Sequence, residues 1–353
     1  MMNKKIGIGI LGSGSIARIH VDALAGLEDA RLVAVAGRNS ATSRELADLA
    51  GAQTEDSVEA LVGRADVDAV LVATPSGAHL DPVMAAIRAG KHVLCEKPLE
   101  VESARVFSMI ERAREAGILL GGFFPMRFGA GAHAVKRALE EGRFGRLVSL
   151  GARVKWWRDA AYYRDSSWRG TWALDGGGAL MNQGIHALDL LQWFGGSPEM
   201  VSAFTGTLAH PEIEVEDTLS AILKWKSGAI GTITASTACH PGLDLSIEVS
   251  GDAGTAVLVN GRIEFWRFDE EQPGDKAIRA GGGSKWQGGA SDPKAISCAG
   301  HREQIRILCE SIRSGSVQPG FIDGTEACSA VRIVESIYKS ARSLQAESIF
   351  QHS

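Results

Sequence analysis

A glycine-rich hexapeptide near the start of this 353-residue chain has the spacing of a phosphate-binding turn. It follows the GxGxxA pattern and reads Gly12-Ser13-Gly14-Ser15-Ile16-Ala17. An apolar run, 6–11, precedes it, and a segment with helical spacing follows. The first glycine permits a tight turn, the second lets a pyrophosphate approach the backbone, and the small last residue permits close helix–strand packing. The free N–H groups of the helix start favour phosphate, so we predict that these six residues bind a dinucleotide.

The second apolar run, 32–36, ends without the acidic residue that would bind the ribose hydroxyls of NAD. Arg38 stands there instead and is followed by Asn39 and Ser40. The guanidinium of Arg38 could bind the 2′-phosphate of NADP, with Asn39 and Ser40 adding hydrogen bonds. It could equally be a solvated loop residue or stack on adenine. We therefore expect NADP or NAD as cofactor, with NADP favoured.

Polar residues recur at helical spacing in the middle of the chain. Asn182, His186 and Asp189 follow the spacing i, i+4, i+7, which would place them on one face of a helix. A polar stripe on an otherwise apolar helix is typical of a cleft wall, although a core histidine held by Asp189 is an alternative.

Just before this helix, residues 156–172 hold four of the eight tryptophans. Tyrosines and arginines surround them, and the set comprises Arg153, Trp156, Trp157, Arg158, Tyr162, Tyr163, Arg164, Trp168, Arg169 and Trp172. Aromatic faces pack on sugar rings, and arginine forks bind carboxylate or phosphate, so a sugar or acidic-sugar subsite is one interpretation. A packed lid or an oligomer contact is another, and a nucleic-acid stacking platform is disfavoured by the net charge of −5.

The elements that position these residues change character near residue 124. Before it, short apolar runs alternate with helical segments, which predicts a doubly wound parallel sheet; the runs are 6–11, 32–36, 69–73, 92–94 and 118–121. After it, longer strands are joined by hairpin signals such as Asn260-Gly261. We expect an α/β chain with a Rossmann domain over 1–124 and an α+β domain with a large, mostly antiparallel open sheet over 125–353.

Composition excludes several other classes of protein. A net charge of −5 gives no basic field for nucleic acid or an anionic membrane, and no run approaches the length of a membrane span. The five cysteines form no CxxC pair, which argues against a disulfide framework and against a zinc site, and we expect no metal. The apolar run after Lys4-Lys5 is interrupted by glycines and has no fitting cleavage site, so we expect a cytoplasmic protein.

Three further motifs carry a resemblance to a known family. Glu96-Lys97-Pro98 follows the fourth apolar run, Thr74-Pro75-Ser76-Gly77-Ala78-His79 follows the third, and Gly176-Gly177-Gly178 leads into Gly184-Ile185-His186 and Asp189. In order and spacing, together with the glycine-rich turn, they resemble the motifs of the Gfo/Idh/MocA oxidoreductases across essentially the whole chain.

The resemblance implies a role for each matching residue. Lys97 and His186 match catalytic positions. The cofactor would contact the glycine-rich turn, Arg38, Thr74, Pro75, Ser76, His79, Glu96, Lys97 and Arg127. The substrate would contact Asn182, Asp189, Arg169 and Trp168. Many family dehydrogenases have an aspartate where Asn182 stands, and because an amide exchanges no proton, the relay would run through Lys97 and His186 alone.

These roles predict a dehydrogenase or reductase acting on a CH–OH group. Hydride would pass between the nicotinamide and a secondary alcohol or ketone of a sugar, sugar derivative or polyol, while Lys97 or His186 moves the hydroxyl proton. The family resemblance also implies a homodimer or homotetramer. The alternatives are an NAD-assisted glycoside hydrolase of the same fold and a non-catalytic nucleotide-binding regulator.

Overall fold

The computed structural model describes residues 5–281 and 297–349, and their contacts divide them into two units. The first unit holds the described residues up to Pro125 together with Ser297–Cys328, and the second holds those of Met126–Ile296 and Ser329–Ser353. Residues 297–328 therefore group with the N-terminal unit, whereas we had placed them in the C-terminal domain. The reason is packing, since Ile305 and Leu308 are buried in the same core as the first strand.

The first unit is built on a six-stranded parallel sheet. Its strands are β1 (Ile6–Leu11), β2 (Ala30–Ala36), β3 (Gln53–Glu55), β4 (Ala69–Val72), β5 (His92–Cys95) and β6 (Leu120–Gly122). Their order, β3-β2-β1-β4-β5-β6, is that of a doubly wound Rossmann sheet and confirms the predicted fold class. The strand order reverses between β1 and β4, and the ends of these strands are where a nucleotide binds in such sheets.

Six helices accompany this sheet. They are α1 (Ser15–Ala25), α2 (Ser40–Leu49), α3 (Val58–Val62), α4 (Leu80–Arg88), α5 (Ser103–Glu115) and α10 (Ala299–Ser314). Helix α10 completes the sheet edge, because the Gln304 amide accepts from the Phe124 N–H at 3.0 Å and donates to the Gly122 carbonyl at 2.8 Å. Gly122 also donates its N–H to the Ile322 carbonyl at 3.0 Å.

The second unit contains an eight-stranded sheet. Its strands are β7 (Leu147–Lys155), β8 (Met200–Gly206), β9 (Thr218–Lys224), β10 (Ile230–Ser236), β11 (Ser246–Gly251), β12 (Gly254–Val259), β13 (Arg262–Phe268) and β14 (Glu347–Ser348). The order is β13-β12-β11-β7-β10-β9-β8-β14, and only the β7–β10 pair is parallel. Asn260 and Gly261, with φ of 46° and 79°, form the tight turn predicted between β12 and β13.

Helices accompany this sheet. They are α6 (Ala130–Glu140), α7 (Ala160–Arg164), α8 (Ile185–Gly195), α9 (Asp275–Gly281) and α11 (Gly324–Ser343), of which α11 contributes residues to both units. Along β8 and β9, buried residues alternate with exposed ones, so one face of the sheet is covered and the other is solvent-facing. Within the described residues, we find no helix with the length and hydropathy that crossing a bilayer requires.

Candidate active site

The glycine-rich turn has the geometry that a pyrophosphate needs. Gly12 has a φ of +114°, and a Cβ there would lie 2.3 Å from the Ala73 carbonyl oxygen, so the position requires glycine. Gly14 caps α1 without a side-chain hydrogen bond, no acidic residue lies in the first turn, and a Cβ at Gly14 would meet nothing within 4 Å. Ala17 lies on the buried side of α1 and is itself fully buried. The helix start is therefore open, and its backbone N–H groups fit a dinucleotide.

The end of β2 carries the arginine expected to select the cofactor. Arg38 is exposed, and it precedes α2, whose first turn contains no acidic residue. The Asn39 side chain accepts the backbone N–H groups of Ala41 at 3.1 Å and Thr42 at 3.3 Å. Asn39 therefore caps α2 through its carbonyl oxygen, and this cap leaves the Nδ2 amide as the group that would donate to a 2′-phosphate, so that hydrogen bond stays a prediction.

A buried histidine joins the loops after β4 and β5. The His79 ring lies 2.8 Å from the Thr74 carbonyl through Nε2 and 2.9 Å from the Pro98 carbonyl through Nδ1. It is 1% exposed, and burial lowers its pKa although the carbonyl contacts oppose the shift. Ser76 is also buried, whereas Pro75 is half-buried. We had predicted that His79 contacts the cofactor directly, but this geometry makes it a residue that positions both loops.

Lys97 is the second residue after the end of β5. It is half-buried and precedes Pro98 through a cis peptide bond. The buried Glu96 carboxylate accepts the Lys97 backbone N–H through Oε2 at 3.2 Å. The lysine is thus fixed at the carboxyl end of a parallel strand, the edge at which cofactors bind in such sheets.

Two histidines from distant helices surround the Glu96 carboxylate. Its Oε1 lies 2.9 Å from Nε2 of His20, in α1, and 3.7 Å from Nε2 of His301, in α10. Burial raises the pKa of Glu96, but the histidine contacts and the charge of Lys97 oppose this and bring it to about 2. Burial lowers the pKa of His301 to about 4. Although His301 lies in the first turn of α10, its side chain is buried against this carboxylate and the Phe123 ring.

In the second unit, a buried glutamate anchors the glycine turn. The Glu216 carboxylate accepts the Gly178 N–H, the Leu180 N–H and the Tyr338 hydroxyl, each at 2.9 Å. Burial raises the pKa of Glu216 to about 7, against the effect of these donors. A Cβ at Gly178 would lie 1.7 Å from the Glu216 carbonyl oxygen, so the position requires glycine. Sequence reasoning missed Glu216.

The predicted polar stripe runs from a π-helix into an α-helix, and its residues differ in accessibility. Asn182 lies in a π-helix, Ala179–Gly184, whereas His186 and Asp189 lie in α8. The Asn182 amide donates to Oδ1 of the buried Asp175 at 2.7 Å, and Asp189 is 1% exposed. The wider π turn changes the angular spacing along the helix, and such turns are frequent at functional sites. His186 and Asn182 are half-buried, so these two residues are the accessible part of the stripe.

Arg127 and Asp189 bind each other. The guanidinium donates from Nε to Oδ2 at 2.7 Å and from Nη2 to Oδ1 at 2.6 Å, and the two side chains are 4% and 1% exposed. Gln192 donates a further hydrogen bond to the carboxylate at 3.1 Å. We had predicted a cofactor contact for Arg127 and a substrate contact for Asp189. The buried pair instead assigns both to holding α8 in place.

The aromatic segment before the glycine turn forms a stack of arginines on a tyrosine. The guanidinium carbons of Arg169 and Arg158 lie 4.2 and 5.3 Å from the Tyr162 ring centroid. Arg169 also lies 5.4 Å from the Trp168 ring. The Gln183 amide, from the π-helix, donates to the Tyr162 hydroxyl at 3.0 Å. Trp168 and Arg169, both predicted substrate residues, therefore lie near the π-helix that carries Asn182, because Tyr162 contacts both Arg169 and that helix.

Comparison with known proteins covers both units. Residues 6–123 match the oxidoreductase family with an NAD-binding Rossmann fold, and residues 132–257 match the GFO/IDH/MocA C-terminal domain. Inositol 2-dehydrogenase of Rhizobium meliloti (strain 1021) is 31% identical over 260 residues, which is 72% of this chain and 76% of the relative. Myo-inositol 2-dehydrogenase of Thermotoga maritima is 32% identical over 77% of this chain and 80% of the relative.

Among solved structures, the WlbA dehydrogenase of Bordetella pertussis in complex with NADH and UDP-GlcNAcA is 32% identical with a TM-score of 0.90, and the match covers 100% of both chains. Levoglucosan dehydrogenase in complex with NADH and levoglucosan shares the fold, with a TM-score of 0.85 at 22% identity. The sequence motifs, the two sheets and these matches agree, and the chain belongs to the GFO/IDH/MocA family of oxidoreductases, with an NAD-binding Rossmann domain.

Proposed function

We propose that this protein transfers hydride between NAD(P) and a secondary alcohol or ketone of a sugar, sugar derivative or polyol. The observation that carries the proposal is the half-buried Lys97 at the carboxyl end of β5, in the same unit as the open helix start at Gly14. Relatives named for inositol oxidation, and a similar structure that holds NADH and UDP-GlcNAcA, support a polyhydroxylated substrate.

Each unit contains residues that the family resemblance assigns to the reaction. The bound nucleotide would supply the hydride acceptor or donor. The backbone of the Gly12–Gly14 turn would hold its pyrophosphate, and Lys97 would move the hydroxyl proton. In the second unit, His186 is the other candidate for proton transfer, and Asn182, already bonded to Asp175, would orient a hydroxyl by hydrogen bonding.

Replacing Lys97 by Met tests the proton-transfer role. The variant keeps the aliphatic stem but loses the ammonium, so we expect turnover of a panel of polyols and sugars to fall by at least about 100-fold. Nucleotide binding, measured by calorimetry, should persist. Lys224→Met, at an exposed strand position, is the control and should retain turnover. Undiminished turnover in the Lys97 variant would contradict the assignment.

The choice between NADP and NAD rests on Arg38. We propose NADP, because an exposed guanidinium stands at the end of β2, where NAD enzymes place an acid. Calorimetry with NADP⁺ and NAD⁺ should show at least tenfold tighter binding of NADP⁺, and Arg38→Ala should remove the difference, about 1.4 kcal/mol. Equal or tighter binding of NAD⁺ to the parent protein would reject this choice.

We further propose that the protein assembles as a homodimer or homotetramer through the solvent-facing side of the eight-stranded sheet. Large apolar side chains stand exposed there, including Phe204 at 71%, Ile222 at 55% and Ile230 at 57%. Light scattering coupled to size-exclusion chromatography would measure the mass.

The five free thiols support a reducing compartment such as the cytoplasm. The net charge of −5 supports a small-molecule partner over nucleic acid.

A further inference from the structure

We propose that the second unit binds an anionic group of the substrate, a carboxylate or a phosphate, on the guanidinium of Arg169. The inference deepens the proposed function, on which it rests for the carbohydrate nature of the ligand. It starts from the arginine–tyrosine stack, in which Arg158 and Arg169 both lie over the ring of Tyr162. Two cations that contact one aromatic ring repel each other, and a bound anion would relieve that repulsion.

Some N–H donors of the Arg169 guanidinium are not used in hydrogen bonds with the described residues. A guanidinium carries five N–H donors, of which Nη1 donates to the Tyr162 carbonyl at 3.2 Å. Its Nε is buried and has no hydrogen-bond partner among the residues that the structure describes. Buried N–H groups are nearly always satisfied in folded proteins, so this one marks a place for an acceptor. The side chain as a whole is half-buried, which leaves it accessible to a ligand.

The neighbouring carboxylate is already engaged. Asp175 is 1% exposed; its Oδ1 accepts the Asn182 amide at 2.7 Å and its Oδ2 accepts the Gly170 N–H at 2.9 Å. These bonds tie the carboxylate to the backbone next to Arg169 and to the π-helix. Arg158 is almost fully buried and donates to the Trp157 carbonyl at 2.7 Å, so it adds positive charge, while Arg169 presents the accessible donors.

The position of Arg169 also indicates what the anion is attached to. Gln183 reaches the Tyr162 hydroxyl from the same π-helix that carries Asn182, which we proposed to orient a substrate hydroxyl. The ring of Trp168 beside Arg169 offers an apolar face of the kind that packs on sugar C–H groups. An anionic sugar would therefore bind with its charge at Arg169 and its ring hydroxyls toward Asn182. Carboxylates and phosphates both accept from a guanidinium fork, so a sugar acid and a sugar phosphate are the two sources to compare.

Calorimetry on the full chain with NADH present tests the proposal, because alcohols are not oxidised by the reduced nucleotide. The probes are D-glucuronate, D-glucose 6-phosphate and D-glucose at equal ionic strength. We expect at least one anionic probe to bind at least tenfold more tightly than glucose. Arg169→Gln should remove this preference, whereas the exposed Arg164→Gln, in the same segment, should keep it. Preference for glucuronate alone identifies the carboxylate, and preference for the phosphate alone identifies the phosphoryl group.

A second variant separates charge from folding. Arg169→Lys keeps the charge but loses the fork, and we expect it to retain part of the preference with an unchanged tryptophan emission spectrum. The proposal is overturned if neither anion binds more tightly than glucose, or if a folded Arg169→Gln protein keeps the full preference. If the anion preference is present but the protein transfers no hydride from a panel of polyols, sugars and sugar acids to NAD⁺ or NADP⁺ in a separate assay, this site is supported while the proposed function is rejected, so the two failures are distinguishable.

Discussion

Removing the charge of Asp189 should destabilise the second unit strongly. Asp189→Asn leaves the Arg127 guanidinium, 4% exposed, without its carboxylate, and the two hydrogen bonds of 2.7 and 2.6 Å are lost or weakened. Breaking a buried ion pair by removing one partner typically costs about 3–5 kcal/mol, because the remaining charge stays desolvated. We therefore expect the free energy of unfolding of this unit to fall by about that amount. Ligand contact alone would have no such effect.

Tryptophan fluorescence during urea unfolding measures this change selectively. None of the eight tryptophans falls in the sequence of the first unit, so the emission follows the second unit. The exposed pair Lys224–Glu199, 3.5 Å apart, provides a matched control, and Glu199→Gln should cost under about 1 kcal/mol. The double variant Arg127→Met/Asp189→Leu removes both charges and should be much more stable than Asp189→Asn.

The same experiment can refute the structural role. If Asp189→Asn changes the unfolding free energy by less than about 1 kcal/mol, the pair does not hold α8, since a desolvated guanidinium would cost more than that. If binding of substrate falls while stability is unchanged, Asp189 is a ligand-binding residue, as the sequence first suggested.

Three further variants probe the first unit, with unfolding followed by circular dichroism and nucleotide binding by calorimetry. Gly12→Ala should destabilise this unit by about 1–3 kcal/mol, because φ is +114° and the new Cβ would clash with the Ala73 carbonyl. Gly14→Ala should leave stability nearly unchanged and weaken nucleotide binding. The reverse pattern would contradict the turn geometry. Burial lowers the pKa of His301 from 6.5 to about 4, so as the pH falls His301 is protonated in the unfolded chain before it is protonated in the folded protein. The free energy of unfolding should therefore fall by up to about 3 kcal/mol between pH 6.5 and pH 4. His301→Phe should make this loss smaller. The contributions of His79 and His92, whose pKa values are also lowered by burial, and the decline below about pH 4.5 from protonating Glu96 should remain; an unchanged profile above pH 5 would refute the role of His301.

The fold was largely predictable because buried parallel strands are apolar runs. Strands β1, β2, β4 and β5 each appear in the sequence as four to seven mostly apolar residues between helical segments. Strand β3 was missed because its three residues, Gln53–Glu55, are polar and partly exposed, so neither an apolar run nor alternation marks it. Strand β8 was not predicted either, although buried and exposed residues alternate over its first five positions.

The partners within the candidate site were less predictable, because they depend on contacts between distant residues. Glu216 is separated from Gly178 by 38 residues and from Tyr338 by 122, and no periodicity links them. Asp189 has the spacing of a cleft residue, yet Arg127, 62 residues earlier, binds it. Asp175 directly precedes the glycine turn, and that position was the one sequence signal that could have identified it.

The contribution of residues 297–328 to the first unit has a consequence for biosynthesis. Gln304 pairs with the backbone on either side of Phe123, and Asp323 bridges to Gly121, about 180 and 200 residues after the edge strand β6 has been made. During translation, the β6 edge of the six-stranded sheet remains unpaired while every strand of the eight-stranded sheet except β14 is synthesised. Unpaired strand edges promote association with other chains, and incomplete domains expose apolar surface. The nascent Rossmann unit is therefore a natural client for chaperones until α10 leaves the ribosome.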